Sequence, residues 1–183
     1  MNSAECEFVA ECHDVRIVPS FTDTTVHLIT GDVGPFEAGQ PLTVPLWLAI
    51  YLKQCRKCRV VAPEWLTVAN VEANIKNETD VAQFTPLAKD ALSIAHLLLQ
   101  HAADDVLDAD RLMVLVRDLW DTRQAKLRTS ITQFLESGQS HAVVQNLTPM
   151  ELCSVRPFLM NSLDALRRMK RIAGQEGDPT AVE

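Results

Sequence analysis

Over roughly the first sixty residues, apolar and polar positions alternate in short runs separated by turn formers, the period-two pattern of half-buried strands. Val15-Arg16-Ile17-Val18 alternates and stops at Pro19, and Val26-His27-Leu28-Ile29 alternates and stops at Gly31-Asp32. A loop dense in glycine and proline follows, from Gly31 to Pro41, and Leu42-Thr43-Val44 reads as a further short strand. Together these runs predict a small antiparallel sheet. Pro45 suits the first turn of a helix, which Leu46-Trp47-Leu48-Ala49-Ile50-Tyr51-Leu52 continues, and Val60-Val61 returns as a strand.

From about residue 63 the period becomes helical. Pro63 opens a short helix through Trp65, Val68, Val71 and Ile75, and the polar run Lys76-Asn77-Glu78-Thr79-Asp80 reads as a mobile loop. Thr85-Pro86 is an N-cap with proline at the first helical position, predicting a helix to about Ala103. Asp108 caps a long helix to about Glu136, and Thr148-Pro149-Met150-Glu151 is a capping box that starts the last helix. Pro157 is expected to kink or restart that helix, because it removes a backbone donor and crowds the preceding turn. The expectation is an α+β chain: a small β-rich domain over residues 1–62, a mainly α-helical domain over 63–172 and a flexible tail over 173–183.

Two of these helices have unusual faces. At 100° per residue, Leu87, Ala91, Ile94, Leu98 and Ala102 cluster, and Leu92, Ala95 and Leu99 widen the apolar arc to about half the circumference. Such a helix must be covered on two sides, and part of the cover is expected from another chain. On the long helix, Leu112, Val116, Leu119, Leu127 and Phe134 form a stripe, with Met113, Trp120 and Ile131 beside it and Arg123 in its midst. A guanidinium on a packed face needs a carboxylate or several carbonyl acceptors. Alternatively its stem lies over the apolar surface and its head reaches water.

Composition narrows the function classes. The net charge of −7 is spread over both parts, with five cations against seven anions before Pro63 and twelve against seventeen after it. Neither part has the cationic surplus that neutralising several phosphates requires, so strong nucleic-acid binding by the isolated chain is disfavoured. The chain shows no run of eighteen apolar residues and no secretory signal pattern, and its five cysteines are odd in number and scattered, as expected of reduced thiols.

Candidate chemistry is sparse. Cys55-Arg56-Lys57-Cys58 has flanking cations that would favour a thiolate, but it follows an apolar helix, and no second close cysteine pair completes a zinc site. Cys6, Cys12 and His13 would complete one only if the fold brought them near. Among His13, His27, His96, His101 and His141, only His96 and His101 are close along a helix, at a spacing of five rather than three or four. No nucleophile elbow, phosphate-cradling loop or dinucleotide fingerprint occurs, so neither enzyme activity nor a cofactor or metal is expected. Asp104, Asp105, Asp108 and Asp110 read as residues flanking helix ends. The cations of the second cluster, Arg167, Arg168, Lys170 and Arg171, suit a helix C-terminus. The first cluster, Lys53, Arg56, Lys57 and Arg59, supports an alternative reading as a nucleic-acid-binding adaptor acting through residues 53–59.

Several separated blocks share one further property. Gly31-Asp32-Val33-Gly34-Pro35-Phe36, Val44-Pro45-Leu46-Trp47-Leu48-Ala49 and Cys58-Arg59-Val60-Val61-Ala62-Pro63-Glu64-Trp65 resemble the N-terminal half of the second partner-of-Sld-five subunits of the GINS complex. Leu115-Val116-Arg117-Asp118-Leu119-Trp120-Asp121-Thr122-Arg123-Gln124-Ala125-Lys126-Leu127-Arg128 resembles the long helix of that family, and Asn146-Leu147-Thr148-Pro149-Met150-Glu151 falls at the expected distance beyond it. The resemblance spans residues from about 5 to 170, while the loop at 76–85 and the tail depart from the family pattern.

The resemblance implies a nuclear, non-catalytic subunit of a heterotetramer with three sister subunits. It implies further that the tetramer joins Cdc-forty-five and the minichromosome-maintenance ring to form the replicative helicase, touching DNA only through the assembly. On this reading Trp120, Arg123 and Leu127 shape the packing of the helical domain at or near a subunit interface. Trp47 and Trp65 fix the small domain against it.

Overall fold

The computed structural model describes residues 2–29, 31–137 and 145–175, and its β-rich N-terminal part is followed by a mainly helical one. The chain opens with a helix that the period-two reading did not assign, α1 (Ser3–Glu11). Asn2 Oδ1 accepts from the Glu5 backbone N–H at 2.8 Å, and Glu5 Oε2 accepts from the Asn2 N–H at 3.1 Å, a reciprocal capping box. Cys6 and Ala10, one turn apart, form the buried face of α1.

Strands β1 (Asp14–Pro19), β4 (Leu42–Pro45) and β5 (Cys58–Val61) make an antiparallel sheet in the order β4-β1-β5. Val15 faces Val44, and Ile17 faces Leu42 on one side and Val60 on the other, so the alternation of β1 sends Val15 and Ile17 into the core. The run at Val26 does not join this sheet, contrary to expectation. It forms β2 (Val26–Leu28), paired among the described residues with β3 (Gly31–Val33), a strand that falls inside the predicted loop. Both strands carry mostly exposed residues, so no buried face sets their register against β1. Below the hairpin the Gly34–Pro35 peptide is cis. Gly34, at φ +122°, has the Thr25 Cα only 3.0 Å from where a Cβ would stand, so a side chain is excluded there. Helix α2 (Leu46–Gln54) starts directly after Pro45 and buries Leu46, Ala49 and Leu52.

The helical part holds α3 (Val68–Asp80), α4 (Ala91–His101), a 3-10 turn at Ala103–Asp105, α5 (Ala109–Ser137) and α6 (Pro149–Gln175). Four expectations change here. Residues 76–80 are the last turn of α3 rather than a loop, and Glu78 is buried in it. Thr85 does not cap a helix, because its N–H donates to Glu78 and its carbonyl accepts from Arg123; α4 begins after Asp90, which sits at φ +54°. Pro157 lies inside α6 without interrupting it, on a stretch where Arg156, Pro157 and Phe158 are all exposed, so its ring meets no packed neighbour there. Finally, the cover of α4 comes from its own chain. Ala91 to Ala95 and Leu97 to Leu99 are all buried beneath α1 and α2 on one side and α5 on the other. The tail residues 173–175 continue α6, and 176–183 lie outside the described residues.

Two aspartates, Asp90 buried and Asp105 half-buried, fasten the β-rich part to the helices. Asp105 accepts from the Val60 backbone N–H at 2.8 Å and from Lys53 Nζ at 2.7 Å, and the Arg59 Nε lies 3.8 Å away. Asp90 Oδ2 sits 2.8 Å from His13 Nε2, so it serves this contact rather than capping α4 with its side chain.

Candidate partner-binding surface

The centre of the helical part is an ion network around Arg123. This side chain is fully buried on α5, yet its five N–H donors all find acceptors. Nε donates to Glu151 Oε1 at 2.6 Å; Nη2 donates to Glu151 Oε2 at 3.1 Å and to the Asn146 carbonyl at 2.7 Å. Nη1 donates to Glu78 Oε1 and to the Thr85 carbonyl at 3.0 Å. Lys126, one turn on, donates to Glu78 Oε2 at 2.8 Å and caps the end of α3 through the Glu78, Val81 and Gln83 carbonyls. Two cations thus face two carboxylates, which is what makes the burial of Arg123, Glu78 and Glu151 beside the half-buried Lys126 tolerable.

The electrostatics follow from this packing. Burial alone would push the Glu78 carboxyl up, but hydrogen bonds from Lys126 and the Thr85 N–H, with the charges of Arg123 and Lys126, hold it below the usual carboxylate range. Burial would likewise lower Arg123, and the contacts with Glu151 and Glu78 more than reverse that. Glu151 also accepts from the Thr148 N–H at 2.7 Å and from Thr148 Oγ1 at 3.0 Å, so one carboxylate both starts α6 and anchors it to α5.

The network fixes a surface beside it. Phe84 lies under both cations, 5.3 Å from Arg123 Cζ and 5.1 Å from Lys126 Nζ by ring centroid, while its carbonyl accepts from Asn146 Nδ2. Phe84 is one wall of an apolar groove of about 370 Å³ between the C-terminal half of α5 and the first turns of α6. Leu127, Ile131, Phe134, Leu147 and Leu159 supply most of the remaining apolar lining, which Arg156 and Ser130 also join. Leu152 and Met160, also on its wall, are about half exposed. These are large apolar side chains gathered in one concavity, which distinguishes them from single exposed residues.

Of the residues singled out from the sequence, Arg123 and Leu127 come together here, Arg123 as the core of the network and Leu127 in the groove. Trp120 and Trp65 are partly buried against the main core, and Trp65 contacts a small internal gap shared with Leu87, Leu92 and Val116. Trp47 stands apart on α2 and is 38% exposed. Asp90 and Asp105, which the sequence pattern leaves unassigned or places at helix ends, add polar ties between the two parts to the apolar packing of α1 and α2 on α4. Glu78 was missed as well. The signal was available, because Val71, Ile75 and Glu78 share the spacing of one helix face.

Elsewhere the cation cluster is partly neutralised, since Lys53 and Arg59 turn to Asp105 and Lys57 lies over the Phe21 ring. Cys55 is exposed, whereas Cys58 is buried with its thiol donating to the Ala49 carbonyl at 3.7 Å, so the two do not form one site. His96 is exposed and His101 half-buried, while His141 lies outside the described residues. Among the described residues no group of three or more His, Cys, Asp or Glu side chains is placed to hold a metal ion, and no helix is long and apolar enough to cross a membrane.

Comparison with known proteins matches this division. The family model for the PSF2 N-terminal domain covers residues 2–61, and that for the GINS complex protein helical bundle domain covers residues 65–170. The DNA replication complex GINS protein PSF2 of Xenopus laevis is 43% identical over 171 residues, covering 93% of this chain and 92% of that protein. The human protein of that name shows the same identity and coverage. A probable counterpart in Caenorhabditis elegans is 36% identical over 184 residues, the full length of both chains. With both halves matched in order and relatives aligned over nearly their whole length, the chain belongs to the PSF2 family of DNA replication complex GINS proteins.

Proposed function

We propose that this chain is a non-catalytic subunit of a nuclear GINS heterotetramer, bound to three sister subunits. The tetramer joins Cdc-forty-five and the minichromosome-maintenance ring in the replicative helicase. The observation that carries the reading is the apolar groove between α5 and α6, which the Arg123 network holds open on one wall through Phe84. A helix or ridge of apolar side chains from a sister subunit fills it, and each Å² of apolar surface removed from water contributes about 25 cal/mol. The β-rich part then faces outward to neighbouring replisome proteins, with Trp47 and Tyr51 exposed one turn apart on α2. Contact with DNA comes through the assembly, in keeping with the net charge of −7 and the engagement of Lys53 and Arg59 by Asp105.

The test is co-expression with the three sister subunits, followed by size-exclusion chromatography with mass determination. The unaltered chain is expected in a 1:1:1:1 particle. Phe134→Asp and Leu159→Asp, which place a charge in the groove without touching the network, are expected to weaken assembly by 100-fold or more, as an order of magnitude for burying an unpaired carboxylate. Arg123→Ala is expected to weaken it as well, through loss of the Phe84 wall. Full assembly of both groove variants would remove the groove from the interface. A stable monomer that ignores the sister subunits would overturn the whole reading.

A further inference from the structure

Cys6 and Cys153 are separated by 147 positions in the chain, yet their sulfurs lie 3.3 Å apart where α1 packs on α6. Cys6 is 1% exposed, while Cys153, in the second turn of α6, is half-buried. Of the other cysteines, Cys58 is buried against the Ala49 carbonyl, and Cys12 donates to the Phe8 carbonyl on the exposed side of α1. A disulfide has its sulfurs about 2.05 Å apart, so bonding needs the two to approach by only about 1.3 Å. We propose that Cys6 and Cys153 form an oxidisable dithiol, a modification site that a hydroperoxide closes into a disulfide joining α1 to α6.

The partial exposure of Cys153 makes it the thiol that meets the oxidant. Its thiolate attacks one oxygen of the hydroperoxide, the O–O bond breaks, and the alcohol or water leaves, so that Cys153 becomes a sulfenic acid. Cys6 then attacks that sulfur. The S–O bond breaks, and the departing hydroxide takes up the proton of Cys6 as water. In sum, two thiols and one hydroperoxide give one disulfide, one alcohol and one water, with two electrons passing from the sulfur pair to the peroxide. Burial, followed by the hydrogen bond and charge of Cys153 and the charge of Asp90, pushes the Cys6 thiol up to about 11. The second step therefore accelerates as pH rises. Dithiol reductants reverse the bond. Its effect is to fasten the first helix to the helix that forms one side of the groove.

The test treats the full chain, purified with its sister subunits, with hydrogen peroxide and maps peptides under non-reducing conditions. The expected product is a Cys6–Cys153 linked peptide about 2 Da lighter than the two free peptides. It forms faster at pH 9 than at pH 7 and raises Tm by roughly 5–10 °C. In Cys6→Ser the link is lost and Cys153 is trapped as a dimedone adduct of its sulfenic acid. Recovery of Cys6 and Cys153 as unmodified thiols, at a peroxide level that oxidises Cys12 and Cys55, would overturn the proposal. So would a link that forms only after denaturation.

Discussion

Glu78 occupies a position where a single carboxylate serves three ends. From the last turn of α3 it accepts from Arg123 and Lys126 of α5 and from the Thr85 N–H. Replacing it by Gln leaves Arg123 with Glu151 as its one carboxylate partner and Lys126 with backbone carbonyls, at a cost of about 3 kcal/mol, the low end for breaking a buried pair. The pH dependence of that cost has a definite sign. The folded state holds the Glu78 carboxyl below its unfolded value of about 4.3, so its stabilisation is complete above that pH. It is lost as pH falls through the lower folded value. Urea unfolding of Glu78→Gln and the unaltered chain should therefore differ by a constant amount from pH 7 to about 5.5, and the gap should close toward pH 3. Arg123 was legible as a cation needing partners because of the apolar stripe around it. Its partners were not, because they lie 45 and 28 positions away, brought near by tertiary packing.

At the scale of elements, local signals were reliable where they agreed with packing and failed where a distant residue competed for the same backbone group. β1, β4, β5 and α2 fall close to where alternation and Pro45 placed them. Thr85-Pro86 looked like a helix start, but both backbone polar groups of Thr85 are taken by Glu78 and Arg123. The Asn2–Glu5 capping box marks the start of α1, but an apolar face only two residues wide shows little periodicity. The breadth of α4 signals cover on two sides, and the cover opposite α5 comes from α2 together with α1, a helix that the alternation does not predict. Pro157 offers a quantitative case. It is exposed and denies α6 one backbone hydrogen bond, so Pro157→Ala should raise stability by about 1–3 kcal/mol, measurable as a higher urea midpoint. A lower midpoint would mean that α6 depends on the local geometry of the proline.

For the molecule as a whole, the coupling of its two parts matters more than their separate folds. Helices α1 and α2 lie on α4, Asp105 reaches β5, and Asp90 reaches His13, so the β-rich and helical parts share one apolar interior. Thermal unfolding followed by far-ultraviolet circular dichroism and by tryptophan fluorescence should give coincident transitions, since Trp47 reports from α2 while Trp65 and Trp120 report from the helical core. Two separated transitions would show that the parts melt independently.

The position of α1 has a consequence for how the chain is made. During synthesis the first helix leaves the ribosome long before α4 and α6, the helices that bury Cys6 and Ala10. At about 5–20 residues per second, that face waits several seconds for its cover, and nascent chains stalled before residue 91 would keep it accessible. The interval is a window in which α1 is open to chaperones, and it closes when α6 emerges.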